Sequence, residues 1–365
     1  MYRENATLPK APTTITPHHT GNGMSKRKLT RRQQWRIDKI QQERLARAER
    51  KDGDGPAKVS GQLGNEQHGR VVTHYGRQVI VENTGGETVR CHFRATLEQL
   101  VVGDRVVYQP PTDEGLGVVS AIEPRSTVLK RPDPYGNLKP VAANVEQMLI
   151  VFAPLPTPSS QLLDGYLVAA ELSGIAPILV LNKADLIDEE SRSLIDEMLA
   201  PYRQLGYTLL EASATAAHGL NALREHLSGK TSVFVGQSGV GKSSLINALM
   251  PDVDLAIGGL SETSGLGQHT TVTAQLMRFA DGGDLIDSPG VREFGLWHIS
   301  EDELLRGYIE LAPLAGACKF RNCSHRHEPG CALLAAAEDG SISTDRLDNF
   351  FRIAETLDED ARSRY

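Results

Sequence analysis

The stretch Gly236-Gln-Ser-Gly-Val-Gly-Lys-Ser-Ser244, GQSGVGKSS, decides how the chain is read. Its first eight residues fit G-x-x-x-x-G-K-[ST], between the apolar run TSVFVG and a helical pattern that starts near Lys242. Strand, glycine-rich turn and helix start, in that order, make a phosphate cradle. The glycines let backbone N–H groups face phosphate oxygens, and the helix N-terminus adds positive potential. Gly236, Gln237, Ser238, Gly239, Val240, Gly241, Lys242, Ser243 and Ser244 form this loop; Lys242 reaches the β- and γ-phosphates and the Ser243 hydroxyl ligates Mg²⁺.

Four further elements lie outward from it. Downstream, DSPG (Asp287–Gly290) follows the run GGDLI. Asp287, ending a strand near a P-loop, suits anchoring of Mg²⁺, and Gly290 can donate its backbone N–H to a γ-phosphate. Between the two lies SGLGQHTTV, residues 264–272, a glycine-rich switch candidate in which Thr270 or Thr271 joins Mg²⁺; the sequence does not choose between them. Upstream, VLNKADLI ends an apolar run with Asn182, Lys183, Ala184 and Asp185. The Asp185 carboxylate can accept from both N1–H and the exocyclic amine of guanine, a donor pair that adenine lacks. Asn182 bonds the other edge of the base or ties loops together, and the Lys183 stem covers the ring. Ser213 and Ala214, after the strand YTLLEA, suit a backbone N–H contact to guanine O6. A P-loop ATPase or kinase is the rival reading, but it has no need of Asp185.

The guanine-reading loop precedes the phosphate loop, which reverses the usual order. All five elements fall at carboxyl ends of strands in a β–α alternation from Asn144 onward, where a mostly parallel sheet binds ligands. Joining the ends of such a domain and cutting it elsewhere preserves the site, so the chain reads as a circular permutation. Many GTPases carry a water-orienting Gln directly after D-x-x-G. Here that place holds Val291, which cannot polarise water, so slow intrinsic turnover is expected. His269, beside the threonine pair, is the candidate for positioning water, with loop packing as its plain alternative.

Of four cysteines, Cys318, Cys323 and Cys331 fall in CKFRNCSHRHEPGC, residues 318–331. With a histidine they offer the three thiolates and one imidazole of a closed structural Zn²⁺ site. Spacing alone allows His325 or His327 as the fourth ligand. Lys319, Arg321 and Arg326 within the knot are suited to phosphate contacts. Cys91 lies on a strand and reads as a buried hydrophobe.

Around Gly69–Pro124, about five short alternating strands broken by turn residues suit a small closed barrel such as an OB-fold, with an SH3-like barrel giving a similar pattern. Residues 1–23 are polar and without periodicity, and Met24 is a plausible natural start. From Met24 to Lys51 there are eleven Lys/Arg against three Asp/Glu, a basic arm on a chain whose net charge is −7. That asymmetry suggests a polyanion such as nucleic acid, or else only a solvated helix. No signal-peptide pattern and no membrane-length apolar run is present, so a soluble cytoplasmic protein is expected.

Taken in order, N-K-A-D, G-Q-S-G-V-G-K-S-S, G-x-G-x-H-T-T, D-S-P-G-V-R-E-F-G and C-x4-C-x-H-x5-C resemble the ribosome small-subunit-dependent GTPase A family. The likeness spans about Gly69 to the C-terminus. It implies an OB-fold over 69–128, a circularly permuted α/β P-loop GTPase domain over 140–297 and a helical zinc-binding domain over 298–365, after a basic extension, 1–68. It implies GTP at Asn182–Asp185 and Gly236–Ser244, Zn²⁺ at Cys318, Cys323, His325 and Cys331, and a role for His269 in hydrolysis. The partners it implies are the small ribosomal subunit with its rRNA, and GTP or GDP; a monomer without membrane contact is expected. One departure is the switch, where the family often carries a basic residue beside the second glycine and this chain has Leu266 and Gln268. An rRNA-binding module using GTP only as a structural switch, and a zinc nucleic-acid regulator unrelated to ribosomes, are the competing readings.

Overall fold

Alternating side chains between Gln67 and Ile122 fold into a barrel. Its strands are β1 (Gln67–His74), β2 (Gln78–Asn83), β3 (Thr88–Phe93), β4 (Arg105–Gln109) and β5 (Gly117–Ile122). They pair as β1–β2–β3–β5–β4, and β4 returns to β1 to close the ring. Val71, Val79, Val81, Cys91, Val106, Tyr108 and Val119 fill the inside. Cys91 is one of these interior hydrophobes, and burial pushes its thiol up to about 12. The computed structural model describes residues 63–93, 97, 99–133, 136–216, 219–251, 274–292, 295–296 and 299–362. All of them lie within one compact unit of the chain, Gln41–Tyr365. The basic arm and the 264–272 loop fall outside the described residues.

A hairpin, β6 (Val128–Pro132) and β7 (Leu138–Ala143), leads into the α/β region. There β8 (Gln147–Phe152), α1 (Ser160–Ser173), β9 (Ala176–Leu181), α2 (Glu189–Gln204), β10 (Thr208–Glu211), α3 (Asn221–Leu227), β11 (Thr231–Val235) and α4 (Lys242–Leu249) alternate. They are followed by β12 (Ala274–Arg278), β13 (Asp284–Asp287) and α5 (Pro289–Arg292). The strand order is β10–β9–β8–β11–β13–β12, parallel except for β12 against β13. Every residue of β8 is buried, because helices cover both faces of the sheet. Met148, Ile150 and Phe152 point toward α1 and α2, whereas Leu149 and Val151 join the core beneath α3 and α4.

Local capping marks the helix ends. Ser159 Oγ accepts from Leu162 N at 3.4 Å to start α1, and Gly174 ends it in the left-handed conformation. Asp188 and Ser191 form a capping box that starts α2.

The two β systems are not separate. β1 of the barrel pairs antiparallel with β12, Thr73 opposite Gln275 and His74 opposite Ala274, so a single eleven-stranded sheet runs through both. Arg70 fastens the seam, donating to Asp284 at 2.5 Å and to Thr231 Oγ1 at 2.8 Å. The chain closes with α6 (Glu301–Gly307), α7 (Ala332–Glu338) and α8 (Thr344–Arg362), whose core includes Leu304, Tyr308, Leu333, Leu347 and Phe350. No helix among the described residues is long and apolar enough to cross a membrane.

Candidate functional site: a nucleotide cradle and a metal-ligand cluster

The fully buried strand β11 delivers the chain to Gly236 at the carboxyl edge of the sheet. Gly236 has φ 134°, and a Cβ there would lie 2.1 Å from the Val151 carbonyl oxygen, so only glycine can cross β8 at this point. Gly241, φ 92°, abuts the guanine loop: a Cβ would stand 2.4 Å from Asn182 Nδ2. The loop then enters α4 at Lys242. Lys242 Nζ donates to the carbonyls of Gly236 at 2.6 Å and Gln237 at 2.7 Å, which holds the ammonium over the loop.

Asn182 and Lys183, expected from the sequence to lie at the guanine base, meet this loop across 58 and 56 positions. Asn182, buried at the end of β9, donates from Nδ2 to Val240 O at 2.8 Å. Its Oδ1 is buried without a partner among the described residues, as happens where a ligand or water completes the bonding. Lys183 sits in the left-handed region, φ 59°, and its ammonium donates to Leu155 O at 2.7 Å and Gly239 O at 2.8 Å. Its stem thus spans from the base loop to the phosphate loop, a tie that the residue pattern alone did not disclose. Asp185 is exposed and takes a short hydrogen bond from Ser213 Oγ. That bond is the main reason its carboxyl lies below the ordinary carboxylate value. The carboxylate is therefore ionised and faces outward, as an acceptor for two N–H groups must be. Ser213 Oγ also accepts from the N–H groups of Thr215 at 3.2 Å and Ala216 at 3.1 Å, fixing the turn that carries Ala214.

Asp287 ends β13 nearly buried, and Ser288 Oγ accepts from Val291 N at 3.1 Å. Val291 itself is 1% exposed and packed in the core with Ile150 and Ile286, so that side chain serves packing and not water. Gly290 lies against Val141 of β7, where a Cβ would come within 2.7 Å of Cγ1. His269, Thr270 and Thr271 are outside the described residues.

Cys318, Cys323, His325 and Cys331 place their ligand atoms within 4.8 Å of one another. Cys318 Sγ and Cys331 Sγ are 3.4 and 3.5 Å from His325 Nδ1 and 3.9 Å from each other. A tetrahedron of metal–sulfur bonds of about 2.3 Å has edges of about 3.8 Å, so the four residues fit a closed site. Between the two histidines left open by spacing, the fold brings in His325, which adopts φ 61° to reach the cluster. Glu328 went unnoticed in the sequence. Its carboxylate accepts from Ser324 N and Oγ, Arg326 N and His327 N, which folds the loop between the ligands and holds its own pKa far below the usual range.

A P-loop, an N-K-x-D loop, an S-A turn and D-x-x-G at one edge of a parallel sheet, entered at the base-reading end, define a circularly permuted GTPase. Comparison with known proteins makes the assignment finer. A family model, RsgA GTPase, matches residues 122–297. The small ribosomal subunit biogenesis GTPase RsgA of Alcanivorax borkumensis is 66% identical over 348 residues, covering 94% of this chain and 99% of the relative. Among solved structures, YjeQ from Thermotoga maritima is 33% identical with a TM-score of 0.68, covering 80% of this chain and 99% of its own. YloQ, described as a circularly permuted GTPase, is 29% identical with a TM-score of 0.65, covering 83% and 99%. The chain belongs to the RsgA GTPase family, whose activity is the hydrolysis of GTP.

Proposed function

We propose that this protein hydrolyses GTP to GDP and phosphate during late maturation of the small ribosomal subunit, in the cytoplasm, as a monomer stimulated by that subunit and its rRNA. The observation that carries the reading is the junction of Asn182, Lys183 and the phosphate loop, together with identity to a small-subunit biogenesis GTPase along nearly the whole chain.

In this reading Asn182, Lys183, Ala184, Asp185, Ser213 and Ala214 hold guanine, and Gly236–Ser244 with Gly290 hold the phosphates. Ser243, Asp287 and one of Thr270 and Thr271 would hold Mg²⁺, which would supply positive charge to offset that developing on the phosphates. Lys242 leaves its carbonyl partners for the β- and γ-phosphates. Because buried Val291 cannot orient water, His269 positions the attacking water when the subunit is bound. Cys318, Cys323, His325 and Cys331 hold a structural Zn²⁺ that closes the C-terminal fold. The domain limits expected from the sequence, 1–68, 69–128, 140–297 and 298–365, remain part of this reading.

GTP turnover measured with and without purified small subunits, for the wild type and His269→Ala, tests it. Expected is a low basal rate, strong stimulation by subunits, and loss of stimulation of at least tenfold in the variant. Absence of stimulation in the wild type would overturn the ribosomal reading. Full stimulation in His269→Ala would remove the histidine from the mechanism.

A further inference from the structure

The loop that carries the four metal ligands is folded by a residue that is not one of them. Glu328 Oε1 accepts from Ser324 N at 2.8 Å and from Ser324 Oγ at 2.6 Å. Glu328 Oε2 accepts from Arg326 N at 3.2 Å and from His327 N at 3.3 Å. The backbone carbonyl of the same residue accepts from Cys331 N at 3.2 Å. Glu328 thus gathers the main chain on both sides of His325 and ties it to the last thiol ligand.

A left-handed residue in a turn lets neighbouring N–H groups converge on an anion. Here the left-handed residue is His325, at φ 61°, and the anion is a carboxylate of the chain itself. The turn brings His325 Nδ1 to 3.4 Å from Cys318 Sγ and 3.5 Å from Cys331 Sγ. His327, with its own N–H bound to Glu328, stays exposed. Arg326 fastens the turn from outside. Its Nη1 donates to Glu355 of α8 at 2.8 Å, and its guanidinium carbon lies 4.9 Å from the Phe351 ring centre.

We propose that Glu328 is the positioning residue of this metal site: it selects His325 over His327 as the fourth ligand and sets how long the metal is held. The inference rests on a metal ion binding at the cysteine cluster. An ionised carboxylate accepts at both oxygens and donates at neither, and hydrogen bonds to a charged acceptor are the stronger kind. The turn is therefore in place before a metal arrives, and less ordering is left to oppose binding. A glutamine of the same size cannot do this. Both oxygens face N–H groups, so either orientation of the amide sets a donor against a donor.

Two measurements on the full chain test the role: zinc release to a chromogenic chelator, and absorption of the cobalt-loaded protein. Sulfur-to-cobalt charge transfer reports the thiolates, whereas the ligand-field bands also respond to the fourth ligand and its geometry. Glu328→Gln is expected to release zinc about 10–100-fold faster, the range for outer partners of metal ligands. Its ligand-field bands should shift while the charge transfer of three thiolates remains. His327→Ala is expected to match the wild type in both. His325→Ala should speed release, and adding Glu328→Gln to it should speed release less than Glu328→Gln does alone, because the two act together. Should Glu328→Gln not fold by circular dichroism, Ser324→Ala, which removes one donor to the carboxylate, takes its place with the same shift of the bands expected. A wild-type cobalt spectrum in the folded variant would overturn the proposal whatever its release rate. Effects of Glu328→Gln and His325→Ala that simply multiply would do so too, as would loss of metal from His327→Ala. A wild-type chain that takes up neither zinc nor cobalt would overturn the metal assignment and the inference together.

Discussion

Asp185→Asn is the sharpest probe of base recognition, because the structure fixes which way the new amide points. Ser213 Oγ already accepts from the N–H groups of Thr215 and Ala216, so its own proton goes to Asp185 Oδ1. In the variant the amide oxygen keeps that place and the NH₂ faces the base. Guanine presents N1–H and its exocyclic amine there, so donors meet donors. Two hydrogen bonds to a charged acceptor, each worth about 1.5–3 kcal/mol, are lost. Allowing for non-additivity, the cost is about 3–5 kcal/mol, or roughly 10²–10⁴ in affinity. Xanthine carries a carbonyl at C2 in place of the amine and accepts from the same NH₂. Titration calorimetry with GDP and XDP should therefore show GDP binding collapse while XDP binding improves at least tenfold over the wild type. The variant should melt as the wild type does, since Asp185 is exposed. GDP affinity within fivefold of the wild type would refute the assignment of Asp185 to the base.

Cys323→Ser should purify with little or no zinc by elemental analysis, against about one ion per wild-type chain, and the C-terminal helices should lose protection from hydrogen exchange. Gly307→Ala drives a methyl into Val168 and should destabilise by about 1–3 kcal/mol, seen as an earlier thermal transition. His74, on β1 at the seam, has its pKa lowered by burial. Between that lowered value and the ordinary 6.5 the unfolded chain binds the extra proton, so stability is fully present above about pH 6.5 and falls below it. Urea titrations at pH 7.5 and 5.5 should show a smaller loss for His74→Gln than for the wild type.

Much of the nucleotide site was legible because its chemistry is contiguous. A phosphate cradle is built from successive backbone N–H groups, so the glycines and Lys242 must occur at fixed spacing. The guanine loop needs its asparagine and aspartate within one turn, and a closed metal site needs three thiolates near a histidine. The family resemblance implied His325 over His327, but spacing alone left the choice open, because it depends on a left-handed backbone at residue 325 that non-glycine residues seldom adopt. Lys183 carried a signal as part of N-K-x-D, but its bond to Leu155 O did not, since a carbonyl in a loop leaves no mark in composition. Glu328 reads as an ordinary surface acid.

The sequence by itself therefore determined the order of the elements, the phosphate and guanine loops, the metal-ligand set apart from its histidine, and the alternation that makes a barrel and then a parallel sheet. Only the tertiary structure decided how these parts are joined. The pairing of β1 with β12 links strands about 200 residues apart by backbone groups that every residue possesses, so no side-chain pattern announces it. Arg346 and Asp164 are 182 positions apart, and each alone reads as a solvated charge. Their burial is favourable only because α1, α2, α8 and the turn after α6 that carries Glu310 converge to supply every partner at once, and that is a property of three-dimensional packing rather than of any one segment.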